Sequence, residues 1–302
     1  MNLFRTIRSF YQNPYINPSV ATLRHIGWQF RKGLNLFPYD LMLSNFMVRI
    51  ADRSIANGCG ALLNAMGYYD PNNMYFLEEL FEKNLFNSFF DIGANIGIYS
   101  LIAANTGNVK VVAFEPHPYT FSLLKENITL NLLDDHIKSV HSALGDEDGE
   151  IYLTDEPGSA INRIVKEKEY AQRKISVKLI RGHTFCRAEN LSPSIMKIDV
   201  EGYENSVLRG FESILKGVQL IFIECKSMDE TDSILCGRFG FLGPYKVDYR
   251  RRKFIKADIN SEDWIFVNPQ ALKSLEVAGF LFDSSNESKK PFNLAVSESQ
   301  GG

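Results

Sequence analysis

The sequence predicts an α/β protein: a three-layer, mostly parallel sheet flanked by helices and preceded by a helical extension. Three observations carry that expectation. From Phe89 onward, short β-branched or aromatic runs alternate with helical stretches: SFFDIG, VKVVAFE, IKSVHSAL, SIMKIDV and LIFIEC. Runs that are apolar on both faces belong in a parallel sheet covered on two sides. A glycine-rich turn, Gly93-Ala94-Asn95-Ile96-Gly97, leads from the first run into a helix-like pattern. Finally, Asp91, Glu115, Asp199 and Glu224 close four of the runs. Those are the strand ends beyond which an open α/β sheet binds its ligands.

Taken in order, residues 1–85 show apolar residues at three- and four-residue spacing, as in LFRTIRSFY and MYFLEELFEKNLF, and are expected to form a helical cap. Residues 86–270 hold the alternating runs and form the ligand-binding domain. Within it, GEIYLT and KISVKLI alternate with period two and predict added strands. The charged stretch between them, IVKEKEYAQRK, reads as a solvated surface excursion. FGFLGPYKVDY and DWIFVNP predict an antiparallel pair at one sheet edge, with the basic run YRRRKFIK at a hairpin turn between them. Residues 271–302 are assigned to a C-terminal segment that is largely a disordered tail, polar and poor in core formers after Phe282.

Composition narrows the function classes. With 302 residues, 45% hydrophobic and 23% charged, the chain can bury a full core. A net charge of −3 gives no global attraction to nucleic acid, and no such partner is expected. The cysteines, Cys59, Cys186, Cys225 and Cys236, form no CxxC pair and suggest a reducing compartment. No apolar run approaches the ~20 residues of a membrane span, and a cytoplasmic location is expected. Through Ile50, six Lys or Arg residues stand against Asp40 alone, interleaved with aromatics. That cap either packs on the catalytic domain or rests weakly on a membrane surface or acidic lipid-linked glycan.

The glycine turn and the acids select a cofactor. Gly93 and Gly97 permit a tight turn and a close ligand approach. Glu115, eighteen residues after Gly97, is placed to accept both hydroxyls of a ribose. A pyrophosphate fingerprint would need G-x-G-x-x-G, and a carboxylate such as Asp91 beside a pyrophosphate would repel it. S-adenosylmethionine has no phosphate and carries sulfonium and ammonium groups, so the acidic loop suits it better than a nicotinamide dinucleotide.

DIGANIGIYS, AFEPHP, ALGDEDG and MKIDVEGYENSVLRG together resemble the FkbM-type methyltransferases, a branch of the class I S-adenosylmethionine-dependent enzymes. The resemblance spans roughly residues 68–268. It implies a seven-stranded Rossmann-like sheet and methyl transfer to oxygen on a glycan or secondary metabolite. It also implies that Asp91, Gly93, Asn95 and Gly97 hold the methionine end, that Glu115 holds ribose, and that Ala143 and Leu144 border adenine. RGHTF stands where the family commonly has a Leu-Asp pair before its fourth strand.

An acceptor hydroxyl loses a proton during attack, so a base is expected near the methyl group. Asp199 and Glu201, in KIDVEGYE, are the first candidates, and Glu224 is the second. Their alternative roles are capping and first-turn placement at the following helix for Asp199 and Glu201, and a loop hydrogen bond for Glu224. Lys197 is a candidate ion-pair partner or a mark of the strand's end. His117 is expected near adenosine, and His183 either faces the acceptor or sits in a surface loop. No His/Cys/Asp cluster has metal spacing, so no metal is expected; Asp199 and Glu224 are the pair that would suit Mg²⁺. The competing functions are an NAD-dependent oxidoreductase, opposed by the missing third glycine, and a non-catalytic cofactor-binding scaffold, opposed by the intact loop and DVEG residues.

Overall fold

The structure is a computed structural model that describes residues 3–57, 59–155, 162–165, 173–225, 228–257 and 263–282. Helices α1 (Leu3–Gln12) and α2 (Pro18–Gly33) lead into a hairpin of β1 (Tyr39–Met42) and β2 (Met47–Ile50), followed by α3 (Arg53–Asn57), α4 (Cys59–Met66) and α5 (Pro71–Glu82). Helix α2 starts where Asn17 Oδ1 accepts the N–H groups of Ser19 and Val20, with Pro18 in the first turn where no donor is needed.

The alternating region then runs β3 (Ser88–Ile92), α6 (Ile98–Asn105), β4 (Lys110–Phe114), α7 (Pro118–Leu130) and β5 (Ile137–Val140). An inserted block follows: β6 (Ala143–Gly145), β7 (Gly149–Thr154), β8 (Ile164–Val165) and β9 (Lys174–Arg181). The chain returns through α8 (Gly182–Glu189), β10 (Ile195–Ile198), α9 (Glu204–Phe211), β11 (Leu220–Glu224) and α10 (Met228–Asp232). It closes with β12 (Leu242–Asp248), β13 (Lys253–Lys256), β14 (Asp263–Val267), α11 (Leu272–Val277) and β15 (Leu281–Phe282).

The main sheet is Rossmann-like, with order β15-β13-β12-β14-β11-β10-β3-β4-β5. Strands β11, β10, β3, β4 and β5 are parallel, and β14 and β12 join antiparallel. Those seven strands match the expected number. The sheet extends to nine because the basic run supplies only the β12–β13 turn, Tyr249–Arg252, before KFIK becomes β13. Strand β15 then pairs with β13, so the C-terminal segment carries a helix and a strand up to Phe282, ahead of the stretch expected as a tail. Residues 283–302, and most of the charged excursion at 166–172, lie outside the described residues. GEIYLT and KISVKLI form β7 and β9 of a separate four-stranded sheet, order β6-β9-β7-β8.

Helices cover both faces of the main sheet. Leu77, Leu101 and Leu124 of α5, α6 and α7 pack in one cluster, and Phe185, Val207 and Phe211 of α8 and α9 in another. Phe10, Ala21 and Ala65 form a small cluster within the N-terminal segment, but Trp28, Val48 and Leu63 join the cluster that contains Phe89 and Ile96. The segment is also not wholly helical, as expected from its periodicity. YDLM and MVRI are four-residue runs too short to announce a period, and β2 is held from outside itself. Asn127 Oδ1 accepts the Arg49 N–H at 2.7 Å and Asn131 Oδ1 the Met47 N–H at 2.7 Å. The fully buried Asn127 also donates through Nδ2 to the Ile96 carbonyl at 2.9 Å. One amide therefore joins the hairpin to the glycine turn.

Candidate active site

Strand order reverses between β3 and β10, and the two loops there meet over the sheet. Gly93 and Ala94 both donate to the Phe114 carbonyl, at 3.0 and 2.9 Å, which folds the turn back over β4. Asn95 sits in the left-handed region at φ 53°, a conformation asparagine tolerates, and its Oδ1 accepts the Ile96 N–H at 2.8 Å. Gly93 has φ +82°, and a Cβ there would lie 1.8 Å from the Asp199 carbonyl oxygen. The glycine expected to clear a ligand therefore first clears the neighbouring strand end. Gly97, at φ +93°, opens α6 where a Cβ would meet Leu124 Cδ1 at 2.5 Å.

Glu115 follows β4 and is buried, as is Asp91. Glu115 Oε2 accepts the Asn95 N–H and Oε1 the His117 N–H, each at 2.9 Å. Burial pushes its carboxyl up to about 7, although those two backbone donors pull the other way. Asp91 accepts the Ser100 hydroxyl at 2.7 Å, and burial raises its pKa against the pull of Lys197. His117 is the residue before α7 and lines the same cleft as Glu115.

Glu115 and His117 line a cleft of about 170 Å³ that runs from Gly93 and Asn95 to Ala143 and Leu144; Asp91 and Gly97 lie behind the turn and do not line it. At its Leu144 end, His117 Nδ1 and Ser142 Oγ are buried with no hydrogen-bond partner among the described residues. Buried polar atoms without partners are uncommon, and two at the edge of one cleft suit the polar edge of a base. Glu115, Asp199, Glu201 and Glu224 line the cleft, and among the described residues no Lys or Arg does. That donor set fits S-adenosylmethionine, which brings positive charge and ribose hydroxyls, and it does not fit the pyrophosphate of a dinucleotide.

On the other side of the switch point, Lys197 of β10 donates to Asp199 Oδ2 at 2.7 Å and lies 4.9 Å from the centre of the Tyr99 ring. Burial would lower the Lys197 pKa, but Asp199 and Asp91 outweigh it and the pKa is raised. Lysine here is an ion-pair anchor and not merely a strand end. Asp199, Glu201 and Glu224 offer oxygens within 4.8 Å of one another, so the Asp199 and Glu224 pair named for Mg²⁺ is joined by Glu201 in a group that could hold a cation. Burial pushes Glu224 up to about 7, helped by Asp199 and Asp263.

The helix-capping alternatives for Asp199 and Glu201 do not describe the geometry. Helix α9 starts after Tyr203, and Glu204 is the acid that accepts the Gly202 N–H, at 2.7 Å. Glu201 instead occupies the left-handed region at φ 52° and faces the cleft. Nor does Glu224 hydrogen-bond a loop among the described residues. His183 lies on α8 in a groove with Arg181 and Arg209, away from this cleft.

Three contributors carried no sequence expectation. Asp263 is the β14 register partner of Glu224. Asp70 accepts the Tyr99 hydroxyl at 2.8 Å and lines a small pocket with Lys197, Glu224 and Asp263. Ser142 precedes the ALGD turn and could have been found there, because a polar residue before two buried apolar ones has no reason to point inward without a partner. Asp70 gives no such signal, since it reads as an ordinary cap before Pro71 and does cap α5.

Residues 91–241 match the family described as the methyltransferase FkbM domain. The hexuronic acid methyltransferase AglP of Haloferax volcanii is 30% identical over 149 residues, 49% of this chain and 58% of that protein. The methyltransferase sdnD of Sordaria araneosa is 30% identical over 112 residues, 37% of this chain and 42% of that protein. The chain thus spans about half the length of the curated relatives it matches. The crystal structure of an O-methyltransferase from Bacillus cereus in complex with SAH aligns at 15% identity and a TM-score of 0.39, covering 70% of this chain and 87% of that one.

Proposed function

The chain belongs to the FkbM methyltransferase family and uses S-adenosylmethionine as its methyl donor; from that premise we propose that it methylates a hydroxyl of a glycan bearing acidic sugars, with Glu224 as the base. The observation that carries this reading is Glu224 itself. Its carboxyl is pushed up to about 7, it lies at the tip of β11 in the cleft, and it has no hydrogen-bond partner among the described residues. A base poised near neutrality is matched to taking a proton from an alcohol. Asp199, the first candidate on sequence grounds, is already engaged by Lys197 and serves better to fix the rim.

Bound in the cleft, S-adenosylmethionine supplies an electrophilic methyl on a sulfonium that leaves as a neutral thioether. The chain's residues do the rest. Glu115 presents its remaining lone pairs to the ribose hydroxyls while the Asn95 and His117 N–H groups hold it in place. The acidic lining attracts a cationic donor and loses that attraction once the sulfur is neutral, which favours product release. Glu224 accepts the acceptor's proton as the new oxygen–carbon bond forms.

The acceptor class follows from charge beyond the acids. Burial raises the pKa of Asp263, the neighbour of Glu224, against the pull of Lys197 and Lys246, and Lys246 shares a groove with Tyr15, Arg250 and Arg251. Lys246 and Arg250 have no ion-pair partner among the described residues. Cations beyond an acid-lined reaction point suit a sugar chain whose carboxylates lie away from the reacting hydroxyl. AglP, a hexuronic acid methyltransferase, is in keeping with such an acceptor.

The test uses methyl-labelled S-adenosylmethionine with hexuronate-bearing oligosaccharides, their neutral counterparts and phenolic metabolites. Label appearing in a base-stable ether of the acidic oligosaccharides is the expected result. A base-labile ester would place transfer on the carboxylate, which has no proton to lose and needs no Glu224. Equal labelling of neutral sugars would remove the role given to the basic groove.

A further inference from the structure

We propose that the outward face of α2 is a docking surface for an anionic lipid bilayer. Buried Ala21, His25 and Trp28 define the inner side of this helix. At about 100° per residue, Leu23, Ile26, Phe30 and the capping Leu34 fall on the opposite side. A helix on a protein surface normally turns polar residues outward. Here Leu23 is 71% exposed and Phe30 69%, with Val20, Ile26 and Leu34 also exposed. Among the described residues, eight of the thirteen exposed large hydrophobics fall between residues 11 and 42, so the surplus belongs to this segment and not to the surface at large.

Charge decides between a bilayer and another apolar partner. Arg24 and Arg31 flank the apolar stripe on one side, and the first fifty residues hold six Lys or Arg against Asp40 alone in a chain of net charge −3. Asp40 is itself held by Arg49 at 2.8 Å. In a second copy packed two-fold on this face, the arginines would confront one another with no acid of the segment free to meet them. Anionic headgroups would meet both arginines while the apolar side chains enter the acyl boundary, the arrangement of an interfacial helix. Among the described residues no helix is long and apolar enough to cross a membrane, so the contact is with a surface. The inference stands apart from the acceptor assignment, because none of these side chains lines the reaction cleft.

The experiment is co-sedimentation of the full chain with vesicles of phosphatidylcholine mixed with phosphatidylglycerol and with vesicles of phosphatidylcholine alone, at low and high salt. Binding to the mixed vesicles should exceed binding to the neutral ones by about tenfold and weaken as salt rises. The Leu23→Ser/Phe30→Ser variant should lose about tenfold or more of that binding. Arg24→Glu/Arg31→Glu should lose at least as much while keeping the apolar stripe. Circular dichroism and thermal melting check the fold, and either pair suffices if the other misfolds. Failure of the chain to bind mixed vesicles overturns the proposal, as does undiminished binding by folded variants. Analytical ultracentrifugation supplies a further arm: a dimer dispersed by Leu23→Ser/Phe30→Ser, with vesicles ignored, would assign the face to self-association instead.

Discussion

The two halves of the strand-tip rim are built on opposite principles. On the β3–β4 side, Asp91 and Glu115 are buried and accept hydrogen bonds from fixed donors, and the backbone of the glycine turn is tied to Phe114. On the β10–β11 side, Asp199, Glu224 and Asp263 act on Lys197, Glu201 crowds Asp199 and Glu224, and Glu224 is left protonatable near neutral pH. The first half resembles a mould set before the ligand arrives. The second holds excess negative charge that only a cation or a proton relieves. Binding profits from groups fixed in advance, whereas proton transfer needs a group whose charge can change.

The sharpest way to break this contrast is Gly93→Val. A side chain 1.8 Å from the Asp199 carbonyl would pry the two halves apart, so stability should fall by about 4 kcal/mol or more, with cofactor binding lost as a consequence. Urea denaturation measures this; a variant of near-native stability that fails only to bind would return the glycine to a ligand-clearing role. Next in size is Glu224→Gln, for which methyl transfer should drop about 10²-fold or more while cofactor affinity stays within about threefold. Asp199→Asn is its comparison. If that variant loses more turnover than Glu224→Gln at equal cofactor affinity, the proton acceptor lies on β10.

Glu115→Gln probes the set half. Its affinity for S-adenosylmethionine should fall by about 2 kcal/mol, because charged acceptance of the ribose hydroxyls and the pinning of Asn95 are lost together. Isothermal titration showing wild-type affinity in a folded variant would sink the ribose assignment. The smallest effect is on pH-dependent stability. The folded-state value of about 7 for Glu224 lies above the ordinary 4.5, so the folded chain retains a proton that the unfolded chain releases as pH rises between them. Stability contributed at that site therefore falls across this window. Relative to wild type, Glu224→Gln should gain about 1 kcal/mol at pH 8 and nothing at pH 4, solvent reach keeping the gain below the full shift.

Much of the set half was legible because it is local: DIGANIG, AFEP and the ALGD turn each occupy one strand end. The reason for Gly93 was not, since the Asp199 carbonyl that excludes a side chain is more than a hundred positions away. The charged half was half-legible. Asp199, Glu201 and Glu224 announced themselves at strand ends, but their ranking depended on Lys197 choosing Asp199, which two alternate positions on a strand do not decide. Asp263 begins a strand that runs antiparallel, so an acid at its start reaches the same rim that acids reach at the ends of parallel strands. The β1–β2 hairpin escaped notice because side-chain amides of α7, and not a third strand, complete its edge.

That last device sets where the enzyme can be cut. Since Asn127 bonds to Arg49 on one side and to Ile96 on the other, a version trimmed to the sheet and its crossover helices would leave a buried amide half-bonded beneath the glycine turn. It would also expose Phe89 and Ile96 where Trp28 and Val48 had shared their cluster. Grafting the catalytic sheet onto another scaffold, or exchanging the first eighty-five residues with those of a relative, therefore requires the hairpin and the seventh helix to travel as one cassette.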